Sequence, residues 1–514
     1  MTRFYITTAI DYANGDPHLG HAYEKIGADA IARYRRLRGD DVHFLIGMDE
    51  HGQKVTQAAE GRGIAPQQLV DEIAEAFQAM WRRLAISHNV FWRTTDPRHK
   101  SGVLALIERI HERRPDDLYE REYEGQYCVG CEQFKRDGDI VDGKCPIHPT
   151  RTLQWTRERN WFFRLTRYQD FLRRLIETPG FLQPESRRNE MRSLLDQGLE
   201  DISVTRARLA WAIPFPLPLT TGETQGTWVW FDALPNYLTA TGFPGPGFEA
   251  RWPAQLHVIG KDIVRLHAII WPAMLEAAGL SLPERVWGHG FISLGGERFS
   301  KSAGVKLELR DAVDHHGPDA FRYFLLREVP WDADGNFAWE RFEERYTAEL
   351  ADAFGNLASR VLAMLERYRG GVVPEGGDTD LDRSGDACVA RYSDAMDALL
   401  LHRGAQAAWD LVADANVFVD RQAPWAQAKA GDQAGLDRSL AALARALARL
   451  AVLASPFIPH AADLVWDALG LGATIDSARA WAQLTQSSVS GAKTHRIAPL
   501  FPKLERAAGQ PVTR

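Results

Sequence analysis

Cysteine is scarce, with four residues in a chain of 514, which excludes a disulfide framework as the means of holding units of this size together. Long apolar runs are missing. No stretch approaches the ~18 consecutive apolar residues of a bilayer crossing. The opening Met1-Thr2-Arg3-Phe4-Tyr5-Ile6-Thr7-Thr8 also lacks the apolar core of a signal peptide. A soluble, cytoplasmic protein without membrane contact is the expectation. One-sided charge is lacking too: 61 Lys and Arg stand against 68 Asp and Glu, a net of −7. A nucleic-acid partner would therefore be held by a local basic patch and not by global charge. What is present is an ordinary globular composition, 45% hydrophobic with 16 Trp, at a length that predicts three or four packed units and argues against a lone small binding module.

Arg3 to Thr8 is a β-branched and aromatic run that leads through Ala13-Asn14-Gly15-Asp16-Pro17 into a helical stretch from about His18 to Leu37. Strand, tight loop and helix open a nucleotide-binding α/β unit. Strands are also expected at Val42 to Ile46 and Val90 to Arg93, with a helix from Pro66 to Leu84 between them. The alternation predicts a parallel sheet covered on both faces. From about Tyr119 to Thr227 the rhythm breaks, as expected of an inserted domain. The βα pattern resumes with a strand at Leu256 to Ile259, a helix from about Asp262 to Ala278 and a strand at Val286 to Ile292. After about Arg345 only helical spacing remains, broken at Gly370-Gly371, and predicts a helical bundle. The expected units are residues 1–118 and 228–345 as two halves of one α/β domain, 119–227 as the insertion, and 346–514 as the bundle.

Two motifs suit a triphosphate. His18-Leu19-Gly20-His21 stands where the opening loop meets the first helix, where unpaired N–H groups and the dipole favour an anion. Gly20 lets a ligand approach the backbone, and the two imidazoles share one helix face. Gly295-Gly296-Glu297-Arg298-Phe299-Ser300-Lys301-Ser302-Ala303-Gly304 is a loop able to close over phosphates with Lys301 against the developing charge. Each string alone also fits ordinary solvated surface. On two halves of one sheet, about 280 residues apart, they are far more specific. A third pattern, Cys128-Val129-Gly130-Cys131 followed by Cys145-Pro146-Ile147-His148, offers three thiolates and one imidazole for a closed, structural zinc site.

The motif pair resembles the signatures of the class I aminoacyl-tRNA synthetases, and its surroundings are similar to the methionyl-tRNA synthetases in particular. The matching segments are Tyr12-Ala13-Asn14-Gly15, Gly47-Met48-Asp49-Glu50-His51-Gly52, Trp228-Val229-Trp230-Phe231-Asp232-Ala233, Ile259-Gly260-Lys261-Asp262, Trp271-Pro272-Ala273-Met274, Gln422-Ala423-Pro424-Trp425 and Ala498-Pro499-Leu500-Phe501-Pro502. The resemblance implies a Rossmann-type catalytic domain with a zinc-knuckle connective insertion and a C-terminal all-α helical bundle. It implies activation of L-methionine by ATP and transfer to tRNA(Met), with magnesium accompanying the triphosphate. By resemblance His18, Gly20, His21, Gly260, Asp262, Ile292 and Lys301 hold ATP, with His18, His21 and Lys301 catalytic. Ala9, Ile10, Tyr12, Asp49, Trp230, Ala233, Leu234, Tyr237 and His267 form the methionine pocket, Asp49 holding the ammonium. Asn356, Arg360 and Trp425 read the anticodon, and Cys128, Cys131, Cys145 and His148 bind zinc.

Met48 departs from the family by standing where a small polar residue is usual, and Arg298 and Phe299 by replacing Lys and Met. Between Arg151 and Ala210 there are 12 Arg, no Lys and 8 acids. With Trp155, Trp161, Phe162 and Phe163 this stretch suits either an acceptor stem or a solvated amphipathic helix. The chain shows no further domain after Glu505, which by family analogy implies a monomer. A synthetase for another amino acid, a nucleotidyltransferase using the same His-x-Gly-His device and a non-catalytic tRNA-binding paralogue are the alternatives.

Overall fold

A computed structural model describes residues 2–128, 133–135, 138, 140–146, 149–207, 209–294, 297–298, 308–475, 478–484 and 489–503. Its centre is a parallel sheet of seven strands. Across it run Asp11–Tyr12, Asp41–Asp49, Arg3–Thr8, Leu256–Gly260, Val286–His289 and Leu182–Gln183, with Val90–Arg93 also paired to Asp41–Asp49. Side chains alternate between two cores, as the pleat requires. Phe4, Ile6, Phe44 and Ile46 enter one; Tyr5 and Leu45 enter the other. The strand Asp41–Asp49 is buried almost throughout, the mark of a parallel strand covered on both faces.

The expected strands at residues 3–8, 42–46, 90–93 and 256–259 and the helices starting near 18 and 66 are present. Two expected elements are divided. The helix from Asp262 becomes a short turn Lys261–Ile263, a wide turn Leu266–Ile270 and the α-helix Trp271–Ala278, which Gly279 ends at φ 64°. The strand expected over Val286 to Ile292 leaves the sheet after His289. At Gly290 a Cβ would stand 2.1 Å from the Ala333 carbonyl oxygen, and Ile292–Leu294 joins Glu297–Arg298 and Gly335–Phe337 in a separate small sheet.

The segment expected as an insertion builds a four-stranded antiparallel sheet around the long hairpin Leu118–Cys128 and Gln154–Phe163. It then returns the short strand Leu182–Gln183 to the edge of the central sheet. Beyond Phe337 the described residues hold helices and one isolated bridge, Val372 with Lys493. Gly370, at φ 59°, caps the helix Asn356–Arg369 and makes the expected break. This helical part shares one continuous core with the sheet face covered by the helix Leu19–Leu37. Among the described residues no helix is long and apolar enough to cross a membrane.

Candidate functional site

Arg3–Thr8 has Asp41–Asp49 on one side and Leu256–Gly260 on the other, so the strand order reverses there. In an open parallel sheet such a switch point leaves a crevice beyond the carboxyl ends of the strands. His18 stands in it as the N-cap of the helix Leu19–Leu37. Its Nδ1 accepts from the Gly20 and His21 amides at 3.1 and 3.4 Å, while His21 Nδ1 accepts from the His18 amide at 3.3 Å. The two rings stack with centroids 3.6 Å apart. Because both Nδ1 atoms accept, each neutral ring carries its hydrogen on Nε2. The Gly20 and His21 amides are thus spent on the cap, and the helix start presents two imidazole Nε2 atoms, that of His21 lying 3.9 Å from Asp11 Oδ1. At Gly20 a Cβ would lie 3.1 Å from His18 Cε1, so any larger residue presses on that ring.

Behind this pair is a buried charge cluster that sequence reasoning missed. Lys25, fully buried, reaches Asp11 Oδ1 at 2.6 Å, Glu24 Oε1 at 2.8 Å and the Ala9 carbonyl oxygen at 2.9 Å. Glu24 Oε2 in turn meets His289 Nε2 at 3.1 Å. Burial pushes the Asp11 carboxyl up to about 7, and the Glu24 carboxylate is held down despite burial by Lys25 and His289. The adjacent Glu24-Lys25 pair on an otherwise apolar helix face was the available signal. The strand Ile292–Leu294, which leads into the second motif, packs against this same helix, and Ile292 is buried. Gly260 ends the neighbouring strand, and Asp262 lies exposed in the turn that follows.

The other core gathers most of the residues expected around the amino acid. Tyr12, Trp230, Leu234 and Tyr237 belong to it, as does Ala9, while Ile10 is half-buried. The Tyr12 and Trp230 rings meet edge to face at 6.4 Å. His267 Nδ1 donates to the Ile263 carbonyl at 2.9 Å, so its Nε2 accepts the Tyr237 hydroxyl at 2.7 Å. Burial lowers the His267 pKa to about 4, keeping the ring neutral. Ala233 is buried beside Trp230, and Asp49 closes its strand, also buried. Met48, fully buried in the apolar core, pairs in register with Asp11, where packing accounts for an apolar residue.

A family model described as "tRNA synthetases class I (M)" matches residues 4–154 and 148–362, and one described as "Anticodon binding domain of methionyl tRNA ligase" matches residues 371–508. The methionine–tRNA ligase of Streptomyces coelicolor is 39% identical over 98% of this chain and 97% of its own. That of Caldanaerobacter subterraneus subsp. tengcongensis is 40% identical over 98% of this chain and 79% of its own. The chain belongs to the methionyl-tRNA synthetase family. The solved Mycobacterium tuberculosis methionyl-tRNA synthetase in complex with methionyl-adenylate superposes with a TM-score of 0.90 at 37% identity, covering 98% of this chain and all of that one. The expected parallel-sheet core and helical C-terminal part hold for this family member.

The remaining expected residues are placed unevenly. Lys301 and Phe299 lie outside the described residues; of Arg298 only the backbone pairing with Ser293 is described. Cys131 and His148 also lie outside. Cys128 and Cys145 are both fully buried, and Cys145 is so among exposed neighbours from Val141 to Lys144 and at Pro146. Neither thiol belongs to the two large apolar cores, and a thiol so placed suits a metal ligand. The arginine-rich stretch is a strand, Gln154–Phe163, and two helices, Gln169–Glu177 and Glu185–Asp196. Acids pair with Arg157, Arg159, Arg173, Arg187, Arg188 and Arg192, so the excess charge is largely answered locally. Trp155 is 65% exposed on that strand. Asn356 and Arg360 lie one turn apart on one helix, and the Arg360 guanidinium stands 6.0 Å from the ring of the half-exposed Trp425.

Proposed function

We infer that this chain activates L-methionine with ATP and transfers it to tRNA(Met), working in the cytoplasm. A methionine carboxylate oxygen bonds to the α-phosphorus, the bond to pyrophosphate breaks, and a ribose hydroxyl of the tRNA then takes the methionyl group with loss of AMP. The observation that carries this reading is the stacked His18–His21 pair at the switch point of a chain alike over 98% of its length to a synthetase holding methionyl-adenylate.

His18 and His21 bind the phosphates, with Gly20 allowing close approach and Lys301 stabilising the charge that develops during displacement. Gly260, Asp262 and Ile292 line the adenosine side. Asp49 holds the ammonium, and Ala9, Ile10, Tyr12, Trp230, Ala233, Leu234, Tyr237 and His267 enclose the thioether, for which aromatic faces and a neutral imidazole are congenial. Magnesium supplies charge neutralisation on the triphosphate when bound. Cys128, Cys131, Cys145 and His148 would hold a zinc ion whose role is structural, a reading that the two buried thiols support. Asn356, Arg360 and Trp425 read the anticodon by edge contacts and stacking. Residues 1–118 and 228–345 form the catalytic domain, 119–227 the connective insertion and 346–514 the anticodon-binding part.

Pyrophosphate exchange measured with each of the twenty amino acids tests the reading. Exchange with methionine alone is expected, and Lys301→Ala is expected to reduce it by roughly a hundredfold or more with the fold intact. Exchange driven by another amino acid, or by none, rejects it.

A further inference from the structure

We propose that Asp232 is a positioning residue for the amino-acid pocket, its carboxylate tying the segment that carries Asp49 to the helix that carries Trp230 and Ala233. The inference rests on the functional reading above. Asp232 lies in the short helix Val229–Ala233 and is wholly buried. Its Oδ2 accepts from His51 Nδ1 at 2.7 Å and its Oδ1 from His99 Nε2 at 2.9 Å; both imidazoles are buried. On the far side His99 Nδ1 lies 2.8 Å from Thr239 Oγ1, which also accepts from Trp92 Nε1 at 3.1 Å.

One carboxylate thereby joins four pieces of chain. His51 follows Asp49 by two residues at the end of the strand Asp41–Asp49. His99 belongs to the helix Pro97–Arg113. Asp232 sits between Trp230 and Ala233, and Thr239 ends the helix Asn236–Thr239 that carries Tyr237. Those last two helices, of 5 and 4 residues, are too short to hold their own geometry and take it from tertiary contacts.

The chemistry makes this joint directional. A carboxylate only accepts, so with an imidazole N–H on each oxygen it fixes which nitrogen of each ring carries hydrogen. His51 donates through Nδ1 and His99 through Nε2, which leaves His99 Nδ1 to accept the Thr239 hydroxyl. Burial opposes the ionised form, yet the two imidazoles hold the Asp232 carboxyl down at about 2. Near neutral pH the Asp232 carboxylate is ionised, so both of its oxygens are acceptors in the joint. None of these groups is needed to touch a reactant; they fix the distance between an ammonium-binding carboxylate and a thioether-binding indole.

Methionine-dependent pyrophosphate exchange with three variants tests the role. Asp232→Asn turns one acceptor into an N–H group facing an imidazole. It is expected to raise the KM for methionine by about tenfold or more while the KM for ATP changes less than about twofold, with the fold intact by circular dichroism. His51→Leu is expected to give the same split. His51→Asn keeps an N–H donor near the former Nδ1 and is expected to bring the methionine KM back to within about threefold of the parent. Parallel loss in both KM values, or a His51→Asn no better than His51→Leu, overturns the proposal. Should Asp232→Asn fail to fold, the two His51 variants decide it. A parent enzyme without methionine-dependent exchange rejects the functional reading instead.

Discussion

A buried imidazole that must stay neutral ties stability to pH. An unfolded histidine titrates near 6.5, whereas burial holds His267 at about 4, so the fold favours the uncharged ring. The stabilisation is complete above the unfolded value and is lost as pH falls from about 6.5 to about 4, a loss of about 3 kcal/mol from this group. Melting temperatures followed from pH 7.5 to 4 should fall, and His267→Gln should fall less steeply over the same window. Gly20 gives a second expectation. In Gly20→Ala the new methyl presses on the His18 ring, so the KM for ATP should rise roughly three- to tenfold while that for methionine stays near the parent value. His18, Gly20 and His21 were legible because a helix start, an anion site and two imidazoles coincide in four residues. Lys25 was not. A fully buried amine makes sense only once Asp11 and the Ala9 carbonyl, from a separate loop, have folded beside it.

Elements were legible where periodicity is long, as in the helix over Pro66 to Arg83, and illegible where a tertiary contact cuts them. Gly290 is such a case: the sequence reads as one strand across it, but the Ala333 carbonyl occupies the space beside it and turns the chain into another sheet. The long hairpin of the insertion carries two expectations. Cys145→Ser should lower bound zinc by about one equivalent per chain, measured by elemental analysis after gentle purification, since a structural site needs all four ligands. Zinc content unchanged from the parent would remove the assignment. In the helical part, Trp425→Ala should abolish discrimination between cognate and altered anticodons while methionine-dependent pyrophosphate exchange is preserved. Equal loss of both would make this tryptophan a packing residue.

At the scale of the molecule, Arg322 ties the first helix to the helical part. Its guanidinium is wholly buried and donates to Asp29 at 2.6 Å, to the Leu84 carbonyl at 3.0 Å and to the Pro456 carbonyl at 2.8 Å. Asp29 also bonds to Arg33 and Ser87. Arg322→Leu should cost about 1–3 kcal/mol, because it takes the donor from the buried Leu84 and Pro456 carbonyls and leaves Asp29 to Arg33 and Ser87 alone, and should lower a single unfolding transition seen by calorimetry. Two separated transitions would show that the catalytic and helical parts melt independently. No sequence pattern announced this joint, whose partners lie hundreds of residues apart. It has a practical corollary for anyone dividing the gene. Fragments ending or beginning near residue 346 would each carry a raw oily face where the shared core was torn, and Arg322 would be left without its Pro456 acceptor. Such halves should precipitate when expressed apart and recover only when made together.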